Sequence, residues 1–216
     1  MATRKPPKLD KKQAVDTALR LLNEVGLDGL TLRAIAKELD VQAPALYWHF
    51  KNKQELLDEM ATEMYRRMVA GQRIPSGATW QEQLMVFNTG LRAALLGYRD
   101  GAKVYSGSRF TGTEHAVQLE ENLRAFVEAG FEPTQAVRAL TTAYYFTLGF
   151  VTEEQGVEPL PGDRRDGFDV DERAARMADF PLAAAAGAEL FQDFTTGFEE
   201  GLRLLVAGIE ARYGIA

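Results

Sequence analysis

The chemistry this chain offers is concentrated in residues 31–53, TLRAIAKELDVQAPALYWHFKNK. Thr31 and Arg33 open one short helical pattern, and Gln42, Ala43, Pro44 and Ala45 open the next. A guanidinium at Arg33 is shaped to fork onto guanine O6 and N7, while Ala43, Pro44 and Ala45 offer methyl-sized contacts to thymine. Catalytic combinations are missing by contrast. His49 and His115 are the only histidines, and there is no cysteine. No phosphate-binding glycine loop, nucleophile elbow, dinucleotide fingerprint or HExxH motif is present. The adjacent Glu153 and Glu154 read as solvation of a helix end rather than as an acid/base pair. No enzyme activity and no metal site are expected.

The elements that must carry Arg33 and Gln42 are legible in the spacing. Leu32, Ile35, Ala36 and Leu39 recur at helical intervals, residues 40–42 break the pattern, and Pro44 suits the first turn of a second helix running to Phe50. Asn52 reads as the cap of a third helix, with Glu55 placed to close a capping box. Two short helices joined by a tight turn form a helix-turn-helix, whose second helix enters the major groove.

Charge supports that reading once the chain is divided. The net charge is −6, but residues 1–53 hold ten Lys/Arg against six acids and the remainder carries −10. A basic head on an acidic body is expected where only one end meets phosphate. Lys5, Lys8, Lys11 and Lys12 would serve that purpose, giving affinity without sequence information.

The rest of the chain reads as helix, so the fold class is all-α. Residues 10–25 open on Asp10 and carry a stripe of Val15, Ala18, Leu19, Leu22 and Val25, with Gly26 ending the helix in the left-handed conformation. Residues 54–73 form a connecting helix, and residues 74–77 mark a boundary before a body over 74–216. Within it, helices are expected at 80–96, 114–129, from Pro133 through the nearly all-apolar 135–151, and at 188–209. The last two, with Gly197 and Gly201 permitting close approach, would pair with their copies as a four-helix dimer interface. Residues 156–187, rich in Pro, Gly and acids, read as a mobile loop with one short helix near 171–177. No apolar run reaches membrane-spanning length, and the basic N-terminus lacks the core of a secretory signal, so a cytoplasmic protein is expected.

Residues 30–36 (LTLRAIA) and 45–53 (ALYWHFKNK) resemble the DNA-binding domain of the TetR family of repressors. Residues 93–109 and 146–155 (FTLGFVTEEQ) are similar to the control domain of its tetracycline-repressor branch. The resemblance covers most of the chain, 156–187 least. It implies an all-α homodimer that binds a palindromic DNA operator, and it places Tyr47, Trp48, His49 and Lys53 at positions that contact phosphates or bases. For Tyr47 and Trp48, packing into a core is the competing use. Ala43 and Ala45 stand where tetracycline repressors carry polar side chains, so a different operator is expected.

The same resemblance implies an effector pocket drawn from Val69, Phe87, Leu91, Tyr105, Ser108, Arg109, Phe110, Asn122, Leu123, Tyr144, Tyr145 and Glu153. Tyr105 stands where the family uses an imidazole to hold magnesium, Phe87 where it uses an asparagine, and Val69 where it uses a second histidine. A phenol is a poor magnesium ligand, so the magnesium–tetracycline site is expected to be lost. The aromatic lining suits a planar or polycyclic, largely apolar effector, with Arg109, Asn122 and Glu153 as polar anchors. Three readings remain open at this stage: an effector-released repressor, a helix-turn-helix regulator that activates or lacks an effector because its aromatics fill a solid core, and an all-helical interaction module or enzyme.

Overall fold

The computed structural model describes residues 10–215, and all regular structure among them is helical. The head consists of α1 (Lys11–Gly29), α2 (Leu32–Glu38) and α3 (Ala43–Tyr47), and α4 (Lys53–Gly71) leads into the body. The body adds α5 (Trp80–Leu96), α6 (Gly101–Tyr105), α7 (Glu114–Glu128), α8 (Pro133–Val157), α9 (Val170–Arg176), α10 (Pro181–Phe191) and α11 (Phe194–Tyr213).

Local chemistry sets most of the boundaries. The Asp10 carboxylate accepts from the Lys12 N–H, the Thr31 hydroxyl from the Ala34 N–H, and Thr79 with Glu82 closes a full capping box on α5. α2 ends in a two-bond Schellman closure: Val41 N–H reaches Ala36 O at 3.0 Å and Asp40 N–H reaches Lys37 O at 3.2 Å. Asp40 takes the left-handed position of that motif, at φ 52°, where glycine is more usual.

Several elements depart from the sequence reading. Asn52 caps α4 by accepting from the Glu55 N–H, but Glu55 returns its carboxylate to the Lys51 N–H at 2.8 Å, so no reciprocal box forms. Gly26 ends the first helical stretch of α1 as expected, but with φ 68° and an extended ψ of 177° rather than in the left-handed conformation, and a short stretch to Gly29 follows. Just before that point Val25, the last residue of the expected apolar stripe, is exposed. α3 closes at Tyr47, short of the expected Phe50. The expected single helix over 188–209 is broken at Gln192 and Asp193, where Asp193 caps α11 through the Thr196 N–H. Residues 156–187, expected as a loop with one helix, contribute both α9 and the start of α10, because Pro181 followed by an alanine run favours helix. Glu154 is not solvated. It is buried and gripped by Arg92 through two bonds of 2.8 and 2.5 Å, joining α5 to α8.

Two apolar clusters organise the molecule. One runs unbroken from the head (Leu19, Leu22, Ile35, Leu46, Phe50) along α4 (Met60, Met64) into Leu91, Leu95, Val104 and Tyr105 of the body. The other is wholly in the body, with Trp80, Phe126 and Phe131 at one end and Phe198, Leu202 and Ile209 along α11. Gly201 lets α11 approach α8 closely, since a Cβ there would lie 2.3 Å from the Phe146 ring. Phe146 in turn stacks on Phe198 at 5.6 Å and cannot move freely. Gly201→Ala is therefore expected to destabilise the fold by about 1–3 kcal/mol through overpacking. Gly156→Ala, which meets nothing within 4 Å, should be neutral or stabilising by about 0.5–1 kcal/mol. Urea denaturation of the two variants checks the contrast.

Candidate functional site

The first surface of interest is the outer face of α2 and α3. Thr31, Arg33, Gln42, Pro44, Tyr47, Trp48 and Lys53 are exposed, and Ala43, Ala45 and His49 are half-buried. Trp48 is 89 % exposed and Tyr47 51 %, so the aromatic pair is not used for packing, the role that Leu46 and Phe50 fill. Arg33 and Gln42 have no side-chain partner among the described residues, leaving a guanidinium and an amide available on one surface. Lys53 and Thr31 are partly committed. The Lys53 ammonium donates to Leu27 O at 2.7 Å, and the Thr31 hydroxyl caps α2. Lys11 and Lys12, expected on phosphates, are paired within the protein to Glu59 and Asp16. Lys5 and Lys8 lie outside the described residues.

The second site is a cavity of about 180 Å³ between α4, α5, α6, α7 and α8, so the aromatic side chains do not close into a solid core. Phe87, Tyr105, Phe110, Asn122 and Tyr144 line it as expected. Tyr65, His115, Gln118, Leu119, Leu140 and Thr141 complete the wall and were not anticipated. A signal for part of that set was available: His115, Gln118, Leu119 and Asn122 follow the i, i+3, i+4, i+7 spacing of one helix face.

Seven expected lining residues lie elsewhere. Val69 and Leu91 pack in the continuous core, and Leu123 packs in the body core. Ser108 turns its hydroxyl back to Val104 O at 2.7 Å. Arg109 is exposed and contributes only its backbone N–H, to Asp58. Tyr145 is one helical step from Tyr144, and that rotation leaves it 65 % exposed; Glu153 is exposed further along α8.

The cavity is electrically quiet. No Asp, Glu, Lys or Arg lines it. Burial raises the phenols of Tyr105, Tyr144 and Tyr65 above the ordinary tyrosine range, that of Tyr105 most, and neighbouring groups (Tyr144 and Tyr65 for Tyr105, Tyr145 for Tyr144, Glu121 for Tyr65) add to the effect. These hydroxyls therefore stay protonated.

Polar contacts tie the cavity wall to the head. Asp58 of α4 is buried and accepts from the Arg109 N–H at 3.0 Å, and the Thr62 hydroxyl accepts from the Thr111 N–H at 3.0 Å. Phe110, between those two residues, is part of the wall. On the other side, Asn23 of α1 accepts from the Arg99 N–H at 2.8 Å, and Asp100 accepts from the Leu27 N–H at 3.0 Å.

A helix-turn-helix head with an exposed recognition face, joined to a helical body around an apolar cavity, is the architecture of a DNA-binding regulator. Residues 14–60 match the family described as bacterial regulatory proteins, tetR family, and residues 75–213 match the tetracyclin repressor-like C-terminal domain. The chain belongs to the tetR family. It is 39% identical over 209 residues to the class A tetracycline repressor of transposon 1721 from Escherichia coli, covering 95% of this chain and 92% of that one. A possible TetR family transcriptional regulator from Streptomyces coelicolor A3(2) superposes with TM-score 0.80 at 38% identity, covering 94% of this chain and 99% of that chain. BioQ, solved with its double-stranded DNA operator, superposes with TM-score 0.62 at 32% identity, covering 94% and 99%. The first two are described as a repressor and a possible transcriptional regulator, and the third is bound to an operator. No helix among the described residues is long and apolar enough to cross a membrane.

The head–body contact carries a pH signature. Burial alone would raise the Asp100 carboxyl, but hydrogen bonds from Lys103 and the Leu27 N–H, with charge from Lys103 and Arg165, hold it below the ordinary range. A lowered folded-state pKa contributes stability that is complete above the unfolded value, about 3.9. That contribution is lost as pH falls further, through the folded pKa. The protection of the Leu27 amide, its exchange rate corrected for intrinsic pH dependence, should fall more steeply in acid in the wild type than in Asp100→Asn, which has no charge to lose.

Proposed function

We propose that this chain is a ligand-released transcriptional repressor that binds a palindromic operator as a homodimer in the cytoplasm and is not an enzyme. The observation that carries the reading is the continuity between an exposed recognition face and an effector-sized cavity, through α4. Dimerisation is supported by α8 and α11, which expose Val137, Tyr145 and Leu204 on the outside of a single chain. Pairing those faces would set two recognition helices about 34–36 Å apart, one turn of DNA. A molecule bound against Tyr105 and Phe110 would shift the loop at residues 106–113. Asp58 and Thr62 would pass that shift to α4, altering the spacing of the two heads. The shift arises only if the ligand prefers the altered shape, because equal affinity for both shapes moves nothing.

A magnesium chelate of tetracycline is not the effector in this reading. Magnesium requires hard oxygen donors in near-octahedral order. The wall here offers protonated phenols, amides, the Thr141 hydroxyl, the His115 imidazole and hydrocarbon but no carboxylate, with Tyr105 where the family's imidazole would stand.

Selection of genomic fragments with the purified protein, followed by anisotropy titration on the fragment recovered, tests the proposal. Arg33→Ala should cost about 1–3 kcal/mol and relax preference at one base position; an equal loss on every sequence would reduce Arg33 to a phosphate contact. Trp48→Ala should weaken operator binding while changing folding stability by less than about 0.5 kcal/mol, as for a surface substitution. A chain that stays monomeric and retards no duplex at low ionic strength overturns the reading.

A further inference from the structure

We infer that Gln72 is a lock on α4: its amide, seated in the notch that Gly90 leaves in α5, holds α4 at one tilt and so fixes the separation of the two DNA-binding heads. The inference rests on the regulatory reading above and gives it a positioning residue.

The lock begins with a missing side chain. Gly90 lies inside α5, where glycine is less stable than alanine. Its bare Cα leaves the carbonyls of Val86 and Phe87 uncovered, and Gln72 Nε2 donates to them at 3.2 and 3.3 Å. A carbonyl oxygen has two lone pairs, so each can take this bond beside its own helical one. A Cβ at position 90 would lie 1.8 Å from that nitrogen and 2.8 Å from the amide carbon. A side chain there evicts the amide.

What the lock fixes follows from its place. Gln72 is the C-cap of α4, its own N–H returning to Met68 O and Val69 O. Phe87, whose carbonyl it holds, is a wall residue of the cavity. In the first half of α4, Asp58 and Thr62 accept from the loop that carries Phe110. α4 is thus tied to the cavity wall at two places. Between them, one side of the seam with α5 is an open groove of about 460 Å³, lined on α5 by Gly90, Ala93, Ala94 and Gly97. These small residues give α4 room to tilt once the amide is released.

The geometry makes the lock sensitive. At about 1.5 Å per residue, Gln72 lies roughly 15–21 Å along α4 from Thr62 and Asp58, so a tilt of about 5° about those two residues carries it about 1.5 Å. Bonds of 3.2 and 3.3 Å are already at the long end, and a further few tenths of an ångström loses them. The lock is therefore made at one tilt of α4, and any other head separation must give it up.

Anisotropy titration of the full-length protein tests this, on the operator recovered by selection and on versions with one base pair added or removed between the half-sites. Gln72→Glu keeps the shape of the side chain but sets an acceptor against two carbonyls. Gly90→Ala evicts the amide from the other side. Both variants should bind the recovered operator as the wild type does. Both should bind the altered spacings about three- to tenfold tighter than the wild type does, the net worth of the hydrogen bonding no longer lost. Adding Gly90→Ala to Gln72→Ala should change nothing further, because the lock is already open. A purely structural role would shift all spacings together or none. An unchanged spacing preference in both variants, or a further change in the double variant, overturns the inference and leaves the regulatory reading intact. The two variants alter opposite partners, so either one carries the test if the other does not fold. A wild type that retards no duplex overturns the regulatory reading, and this assignment with it.

Discussion

Asp58 and Thr62 face a constraint that governs the rest of the molecule: backbone N–H groups buried next to a helix must be paired. The loop after α6 presents the N–H groups of residues 109 and 111 to α4, and those two side chains accept them at 3.0 Å each. α4 is also the spine of the apolar cluster that holds α1, α2 and α3 together. A close-packed core shifts between discrete arrangements rather than deforming continuously. Loop and head are thereby parts of one mechanical unit, and Phe110, flanked by the two bonded residues, is where the cavity touches it.

The electrostatics divide along the same line. The head carries most of the chain's positive balance, yet several of its cations are spent internally. Lys11 pairs with Glu59, Lys12 with Asp16, and Arg20 with Glu24 and Glu38. Exposed pairs of this kind add little stability. Their consequence is to concentrate free positive charge near Arg33 and Lys37, beside the exposed Tyr47 and Trp48. The body, whose net charge is negative, offers its cavity no ionic group at all. One chain thus carries a charged, exposed surface on its head and a neutral, apolar cavity in its body.

Most of the all-helical fold was legible because helices are written locally. Asp10, Thr31 and Asn52 act within a few residues of themselves, and apolar spacing marks which face is buried. Errors arose where a distant group overrode that pattern. Glu154 looked like solvated helix end until Arg92, 62 residues away, closed on it. Gly26 does stop the first stretch of α1, but beside Arg99 and Asp100 it takes an extended ψ rather than the left-handed conformation expected. The alanine run after Pro181 reads as part of a loop rich in Pro, Gly and acids, although its own propensity favours helix.

The sequence by itself determined that the chain is helical, that a helix-turn-helix lies near its N-terminus, and that Arg33 and Gln42 stand where they can face outward. Those properties depend on the spacing of neighbouring residues. Tertiary structure decided which aromatics enclose a space and which escape it. Tyr144 and Tyr145 are adjacent, and only the packing of α8 against α5, α6 and α7 places one on the cavity and the other in the open. It also brought His115 and Tyr65 to the wall and left Arg109 and Glu153 outside. A cavity is a property of several helices meeting, and no single helix encodes the volume left between them.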